Sequence, residues 1–375
     1  EQDSVSIYYG EGAKAIDVGV NEATRLPERT INISRDGYTI GGWYEAAKDE
    51  NGNVIYEDEE KGIVKLGAAV DFSVTLQSGD EWDVYASWLR NQTVQVRLAL
   101  ESEDDKITYT SEDGAEKTYG AGDLLQEYEL RGKSGDVKKP SLNVITGKKG
   151  VNPSGYTFFE FYTDKECTKK AEWPVSRSES GENVQIYAKF IKGEWNFVST
   201  VTDLISMLQK RNDLGAAYNA NNYYFLNNID CSSYGTIALN DNQEYAGEIR
   251  GNGFKIIGLN INQTNVGTAV SLFGKLSATA KISNLTIENL SMRVANRQNA
   301  PIEAYLFSHN IAAGASVTGV TISGGSLTMM FNGNKDSLLF NGKPLAETMV
   351  CPVYASEEEQ SGITCEGEQR YGSNI

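Results

Sequence analysis

The sequence predicts a mainly β protein: two small β-rich modules, then a short stack of parallel strands closed at one end by an amphipathic helix. Three observations predict it. A pair of motifs in the first half occurs twice, GYTIGGWY at 37–44 returning as GYTFFEFY at 155–162 and VYASW at 84–88 as IYAKF at 186–190. A separate repeat fills the last third, where SLFG at 271–274, YLFS at 305–308 and LLFN at 338–341 recur at intervals of 34 and 33. Between these two systems the apolar period changes from two to that of a helix.

Each module opens on an alternating strand, Val5, Ile7 and Tyr9 in the first and Val94, Val96, Leu98 and Leu100 in the second, ahead of Pro27 or Pro140. The motif offsets are 118 and 102, so the first copy carries about 16 additional residues. They fall in AKDENGNVIYEDEEKGIVKL, where Asn51-Gly52 marks a hairpin turn and the segment reads as a solvated ribbon. The expected domains are 1–91, 92–194 and 195–375. Val201, Leu204, Ile205 and Leu208 then fall at helical spacing after Thr200, with Asp203 as its capping partner, which predicts a helix over 199–211. RNDLGAAYNANN breaks that helix before YYFLNNID starts a strand.

In the last third, ISNLTIENLSM at 282–292 matches VTGVTISGGSLTM at 317–329, which sets Leu285 and Ile287 opposite Val320 and Ile322. FKIIGLNI at 254–261 adds an earlier rung. Short strands with alternate apolar residues bury one face, and Gly and Asn supply the bends between them. One such turn of chain cannot bury its own apolar face, but stacked turns form a continuous core. Thr286, Thr321, Glu288 and Ser323 then point outward, and the helix covers an end that would otherwise invite strand addition.

Composition narrows the functional classes. A chain of 375 residues has length for more than one core. A formal charge of −17 argues against nucleic acid or an anionic membrane surface as partner, because phosphate recognition needs clustered Lys and Arg. No apolar run is long enough to span a bilayer, and the opening EQDSVSIYYGEG lacks a signal-peptide pattern, so the chain reads as mature or trimmed, with any lipid anchor lying upstream. Cys167, Cys231, Cys351 and Cys365 show no metal or redox spacing. A Cys351–Cys365 bridge would close a loop of about 15 residues, contributing roughly 3 kcal/mol; two free thiols fit the sequence equally well.

Candidate chemistry is sparse. Trp43, Tyr44, Trp88, Tyr156 and Phe190 are a conceivable ligand platform, but they stand at module-defining positions that core packing explains better. Asp49, Asn51, Asn53 and Glu60 imitate a calcium loop, yet Val54 stands where that loop needs glycine and Gly52 falls two places early, so a hairpin turn is the better reading. His309 is the only histidine, with no nucleophile-elbow sequence and no Cys partners for a metal. Asp230, Glu248, Glu288 and Glu303 lie near rungs, without an order that pairs any two for glycoside chemistry. The acidic run 357–359 reads as solvated. No cofactor or metal is expected, and residues 248, 250, 286, 288, 321 and 323 form the outward face to inspect first.

The motif pair resembles the Listeria-Bacteroides repeat of internalin B-type surface proteins. Gly37, Tyr38, Gly42, Trp43, Tyr44, Tyr85, Ala86 and Trp88 carry the resemblance. In the second copy Phe161 and Phe190 replace tryptophans and Glu160 replaces glycine. YYFLNNIDCSS, GEIRGNGFKIIGLNI and SLFGKLSATAKISNLTIENLSM resemble the GLUG-type repeats of secreted and surface proteins of gut Bacteroidetes. Together these resemblances imply two β-grasp-like modules and a short right-handed parallel β-helix in an exported, surface-anchored bacterial protein. The expected function is non-enzymatic binding or adhesion to a glycan or a surface protein. A carboxylate-dependent polysaccharide lyase or hydrolase and a purely mechanical stalk are the alternatives.

Overall fold

The computed structural model describes residues 35–73, 75–76, 81–110, 115–130, 135–141, 153, 155–178, 180–213, 219–239, 244–264, 269–296, 302–331, 339–344 and 351–374, with the backbone of the strands Ser4–Tyr9, Lys14–Gly19 and Thr24–Arg25. Pro27, the side chains of Val5, Ile7 and Tyr9, the stretch 214–218 and Leu338 lie outside that description. The chain is mainly β and divides into two compact units, Glu1–Lys192 and Gly193–Ile375.

The first unit contains the same strand arrangement twice. In its later half Gln92–Leu100 pairs antiparallel with Leu124–Leu130 and parallel with Val184–Lys192, whose other edge takes Tyr156–Tyr162 antiparallel. In its earlier half Ser4–Tyr9 pairs antiparallel with Lys14–Gly19 and parallel with Glu81–Asp83, and the following strand Tyr85–Arg90 takes Tyr38–Ala46 antiparallel. Even the irregularity recurs. The register slips past Gly41 in one sheet and past Phe159 in the other, the same place in the motif. Ala86 therefore faces Trp43 as Ala188 faces Phe161, a small residue opposite a buried ring in each case. Val94, Val96 and Leu98 turn into a core with Ile186, Phe161 and Phe190, while the residues between them face outward.

The additional residues of the first copy form two successive hairpins. Lys48 bridges Val54 around a turn at Gly52, and Tyr56–Asp58 pairs with Ile63–Val64 around Gly62, before Leu66–Ala69 returns to pair with Tyr38–Ala46. Asp49 accepts from the N–H groups of Asn51 and Asn53 and from the Asn53 amide, so its carboxylate is consumed by the turn.

The second unit is a stack of parallel sheets that the chain visits repeatedly in one cyclic order. The route Glu248–Arg250, Lys255–Ile257, Asn260–Thr264, Ala269–Ser271, Lys275–Leu276 returns as Lys281–Ser283, Thr286–Glu288, Ser291–Asn296, Glu303–Tyr305, Ser308–Ile311, each strand parallel to its earlier counterpart. Such recurrence is compatible with a parallel β-helix. Its interior is an aligned set of columns. Ile229, Ile256, Ile287 and Ile322 stand in register, as do Tyr223, Ile249, Ile282 and Val317, and all are buried. Each fully buried isoleucine contributes about 1.5–3 kcal/mol relative to exposure. Bends also align: Gly258, Asn289, Gly324 and Gly367 all have positive φ, and the first three donate to the carbonyls of Glu288, Ser323 and Glu366 in the following turn of chain.

The helix spans Val201–Asp213, two residues later than the sequence suggests, because Thr200 is its cap. Thr200 Oγ1 accepts from the Asp203 N–H at 3.1 Å, and Asp203 Oδ2 accepts from Thr200 N–H at 2.9 Å. Burial alone would raise the Asp203 pKa, but these bonds and two from Ser199 outweigh it and hold the carboxyl below its usual range. Leu204, Ile205, Met207 and Leu208 join the core beside Val198, Tyr223 and Phe225.

One repeat is misplaced by the sequence pattern. Phe273 and Phe307 meet edge to face on adjacent turns with centroids 5.1 Å apart, but the next rung is supplied by Pro352 and Val353. Phe340, from the third LF copy, lies on a hairpin and bridges Ile302 instead.

Close stacking makes a specific demand on glycine. A Cβ on Gly251 would strike the Asn284 carbonyl oxygen and come within 2.6 Å of Leu285 Cα, whereas one on Gly253 meets nothing within 4 Å. Gly251→Ala is expected to lower the unfolding free energy by about 3 kcal/mol through overpacking. Gly253→Ala, with φ +80, is expected to cost only about 1–2 kcal/mol. Urea melts of the two variants check this order.

Candidate functional site

The outward side of the first parallel sheet carries the most concentrated functional chemistry among the described residues. Alternation decides its membership. Val198, Phe225, Ile249 and Ile282 point into the core, so the residues beside them point out. Strand register then aligns two outward columns. One runs Trp195, Asn222, Glu248, Lys281, Ser316, and the other Phe197, Tyr224, Arg250, Ser283, Thr318.

Three aromatic rings form one end of this face. Tyr224 stands nearly perpendicular to both neighbours, its centroid 5.7 Å from Trp195 and 6.1 Å from Phe197. The Arg250 guanidinium lies 4.5 Å above the Trp195 ring, and its Nε donates to Glu248 Oε1 at 2.7 Å. Trp195 is only 8% exposed beneath this cover, while Phe197 and Tyr224 are half-buried. Cation–π contact of this kind contributes about 0.5–2 kcal/mol, and a part-exposed ion pair at most about 1 kcal/mol. The cluster thus fixes orientation more than it adds stability.

The turn 251–254 leads to the neighbouring sheet, whose outward residues include the rest of the predicted face. Thr286, Thr321 and Thr364 align in one column and Glu288, Ser323 and Glu366 in another. Lys255 Nζ donates to Glu288 Oε1 at 2.6 Å. Residues 248 and 250 thus sit with the aromatic rings, and 286, 288, 321 and 323 sit on the next sheet. The carboxylates do not converge. Glu248 and Glu288 each engage their own cation, Glu303 is exposed, and Asp230 closes a local turn in which Ser232 holds its pKa below the usual range.

The other sequence candidates have structural roles. Trp43, Tyr156 and Phe190 are buried, with Tyr44 and Trp88 half-buried. Residues 357–359 are exposed. No group of three His, Cys, Asp or Glu side chains is placed to hold a metal among the described residues. Cys351 and Cys365 are free thiols; burial pushes the Cys351 pKa up to about 12, and Cys365 stands in register above Ile322. Sequence reasoning passed over Trp195, Phe197 and Tyr224. Their signal was the period-two pattern in WNFV and NYYF, submerged beside the stronger helical period that follows.

His309 is 5% exposed in the stack wall, with Nδ1 2.9 Å from Ser271 Oγ, which accepts from its backbone N–H and donates to the Gly274 carbonyl. Burial, then the Lys275 ammonium, lowers its pKa to about 4. The folded state therefore holds this imidazole neutral while an unfolded chain would protonate it near pH 6.5. Its contribution is fully present above that pH and is lost as pH falls towards 4. The expected loss is about 3 kcal/mol, and His309→Gln is expected to flatten the stability profile between pH 6.5 and 4 in denaturant melts.

Comparison with known proteins identifies one family. The Listeria-Bacteroides repeat domain matches residues 7–65, within the first module, a repeat typical of surface or secreted proteins. No curated protein matches the chain.

Proposed function

We propose that the chain is a non-enzymatic binding protein of the cell surface or secreted space. On this reading 1–91 and 92–194 are β-grasp-like modules, the second a divergent Listeria-Bacteroides repeat. They carry a GLUG-type, right-handed parallel β-helix, 195–375, which the helix Val201–Asp213 caps. The β-helix presents its outward columns to a glycan or a surface protein, and a segment upstream of this chain anchors the whole at the outer membrane.

The observation that carries this reading is the outward aromatic and ion-paired face built from successive strands of one sheet. Solenoids bind through such extended faces. The repeat in residues 7–65 supports the setting, and no described helix is long and apolar enough to cross a membrane. A glycoside hydrolase would want a carboxyl group kept protonated or two carboxylates converging on one bond. Here Asp230 is held below its usual range, and Glu248 and Glu288 are engaged in ion pairs on separate sheets.

Immobilised full-length chain, offered a glycan array and purified surface proteins, is expected to retain a partner saturably without degrading any polysaccharide. Steady release of new sugar ends from a polysaccharide, with no partner retained, overturns the reading. On this reading the two thiols, free in the structure, join as a Cys351–Cys365 bridge in the oxidising space after export, two protons and two electrons passing to a dithiol oxidase as the S–S bond forms. Peptide mass spectrometry of the exported protein, digested without reductant, is expected to find residues 351 and 365 cross-linked. Two alkylatable thiols in that material exclude the bridge.

A further inference from the structure

We infer that the outward face formed by Trp195, Phe197, Tyr224, Arg250 and Glu248 is a binding site for a neutral oligosaccharide. The inference rests on the binding-protein reading and adds to it a location and a ligand class.

A pyranose presents two surfaces at once, a face of C–H groups and a rim of hydroxyls. The first wants an aromatic ring, and the second wants paired donors and acceptors held in fixed directions. Both are present here within three neighbouring strands. Phe197 and Tyr224 are part-exposed and meet edge to face, and the Trp195 ring beside Tyr224 lies under the guanidinium of Arg250. Rings held this way lose little freedom when a ligand arrives. Beside them Arg250 and Glu248 set a donor group against an acceptor group at 2.7 Å. Further along the same columns come Lys281, Ser283, Ser316 and Thr318.

Shape argues for a chain-like ligand. Outward neighbours on one strand are about 7 Å apart, and five strands at about 4.8 Å spacing extend roughly 19 Å. A strip this narrow falls far short of the ~800 Å² that each partner contributes to a stable protein interface. Its long axis runs across the strands, so successive sugar units would meet successive rungs.

Charge argues for a neutral one. Glu248 offsets Arg250 within the site, Lys281 is a single further cation in the columns, and the chain as a whole carries −17. A polyanionic glycan would approach against that field.

The test titrates the full chain with neutral gluco-, xylo-, manno- and galacto-oligosaccharides, using oligogalacturonate as the acidic comparison, and follows tryptophan fluorescence and heat. At least one neutral series is expected to bind. Tyr224→Ala and Arg250→Ala are each expected to weaken it about tenfold, the effect of losing an anchor group, and Thr118→Ala, exposed on a hairpin of the first unit, to leave it unchanged. Trp195→Phe, which keeps the ring packing, is expected to abolish the fluorescence change and so serves if an alanine variant misfolds. Undiminished binding by folded Tyr224→Ala and Arg250→Ala, or an unaltered fluorescence change in Trp195→Phe, overturns the site and leaves the binding-protein reading standing. Retention of oligogalacturonate or a purified protein, but of no neutral sugar, overturns the ligand class alone. Retention of nothing at all overturns both.

Discussion

The constraint on which the second unit depends is register between parallel strands. Once Ile256 stands on Ile287 and Ile287 on Ile322, every residue on either side of those positions has its parity fixed. A slip of one residue on any turn would send a buried isoleucine to solvent and a polar neighbour into the core. The core thereby also specifies the surface. Thr286, Thr321 and Thr364 align outside because the isoleucines between the strands align inside. A binding strip of defined spacing needs no separate design in such a fold.

In the first unit a different constraint operates, the parallel pairing of the first and last strands of each module. It brings Val94, Val96 and Leu98 against Ile186 and Phe190, residues far apart in sequence, and leaves the motif strand Tyr156–Tyr162 on the far edge. The bulge at Gly41 and Phe159 keeps the buried ring over alanine in both copies. The two copies fill that skipped position differently: a Cβ on Gly41 would come within 2.6 Å of Ser87 Oγ and 2.8 Å of Leu89 Cγ, so the first copy needs glycine where the second carries Phe159. The exchange of Trp43 for Phe161 is a loss of volume at a site where alanine faces the ring in both modules.

Much of this was legible in the sequence wherever one periodicity dominated a segment. The capping box at Thr200 and Asp203, the apolar stripe behind it, and the inward Leu285, Ile287, Val320 and Ile322 follow from spacing alone. Legibility failed where two signals competed or where a contact lay between distant turns. LLFN resembles the earlier LF copies, yet pattern cannot tell which turn a short apolar run occupies, and Pro352 and Val353 take the rung. Gln263 is polar yet points inward, and its amide mimics a strand, accepting from the Leu239 N–H and donating to the Leu239 carbonyl where ladder partners run out. Of the candidate site, Glu248 and Arg250 were visible as outward residues. The three rings beside them were not, because no local rule distinguishes an outward Tyr224 from its inward neighbours Tyr223 and Phe225 until the register is known.

The energetics of the aromatic face also bear on what it is for. A part-exposed ion pair and a covered tryptophan add little to a fold already held by a continuous apolar interior. Arg250 could pair with Glu248 equally well while lying in solvent, but it lies across Trp195. Two side chains with little stability to gain are thus held in one orientation by each other and by the Trp195 ring. Such ordering costs side-chain entropy in the free protein. Its physical return comes when a ligand binds and finds that cost already met, which is the advantage of a preorganised site over a merely polar surface.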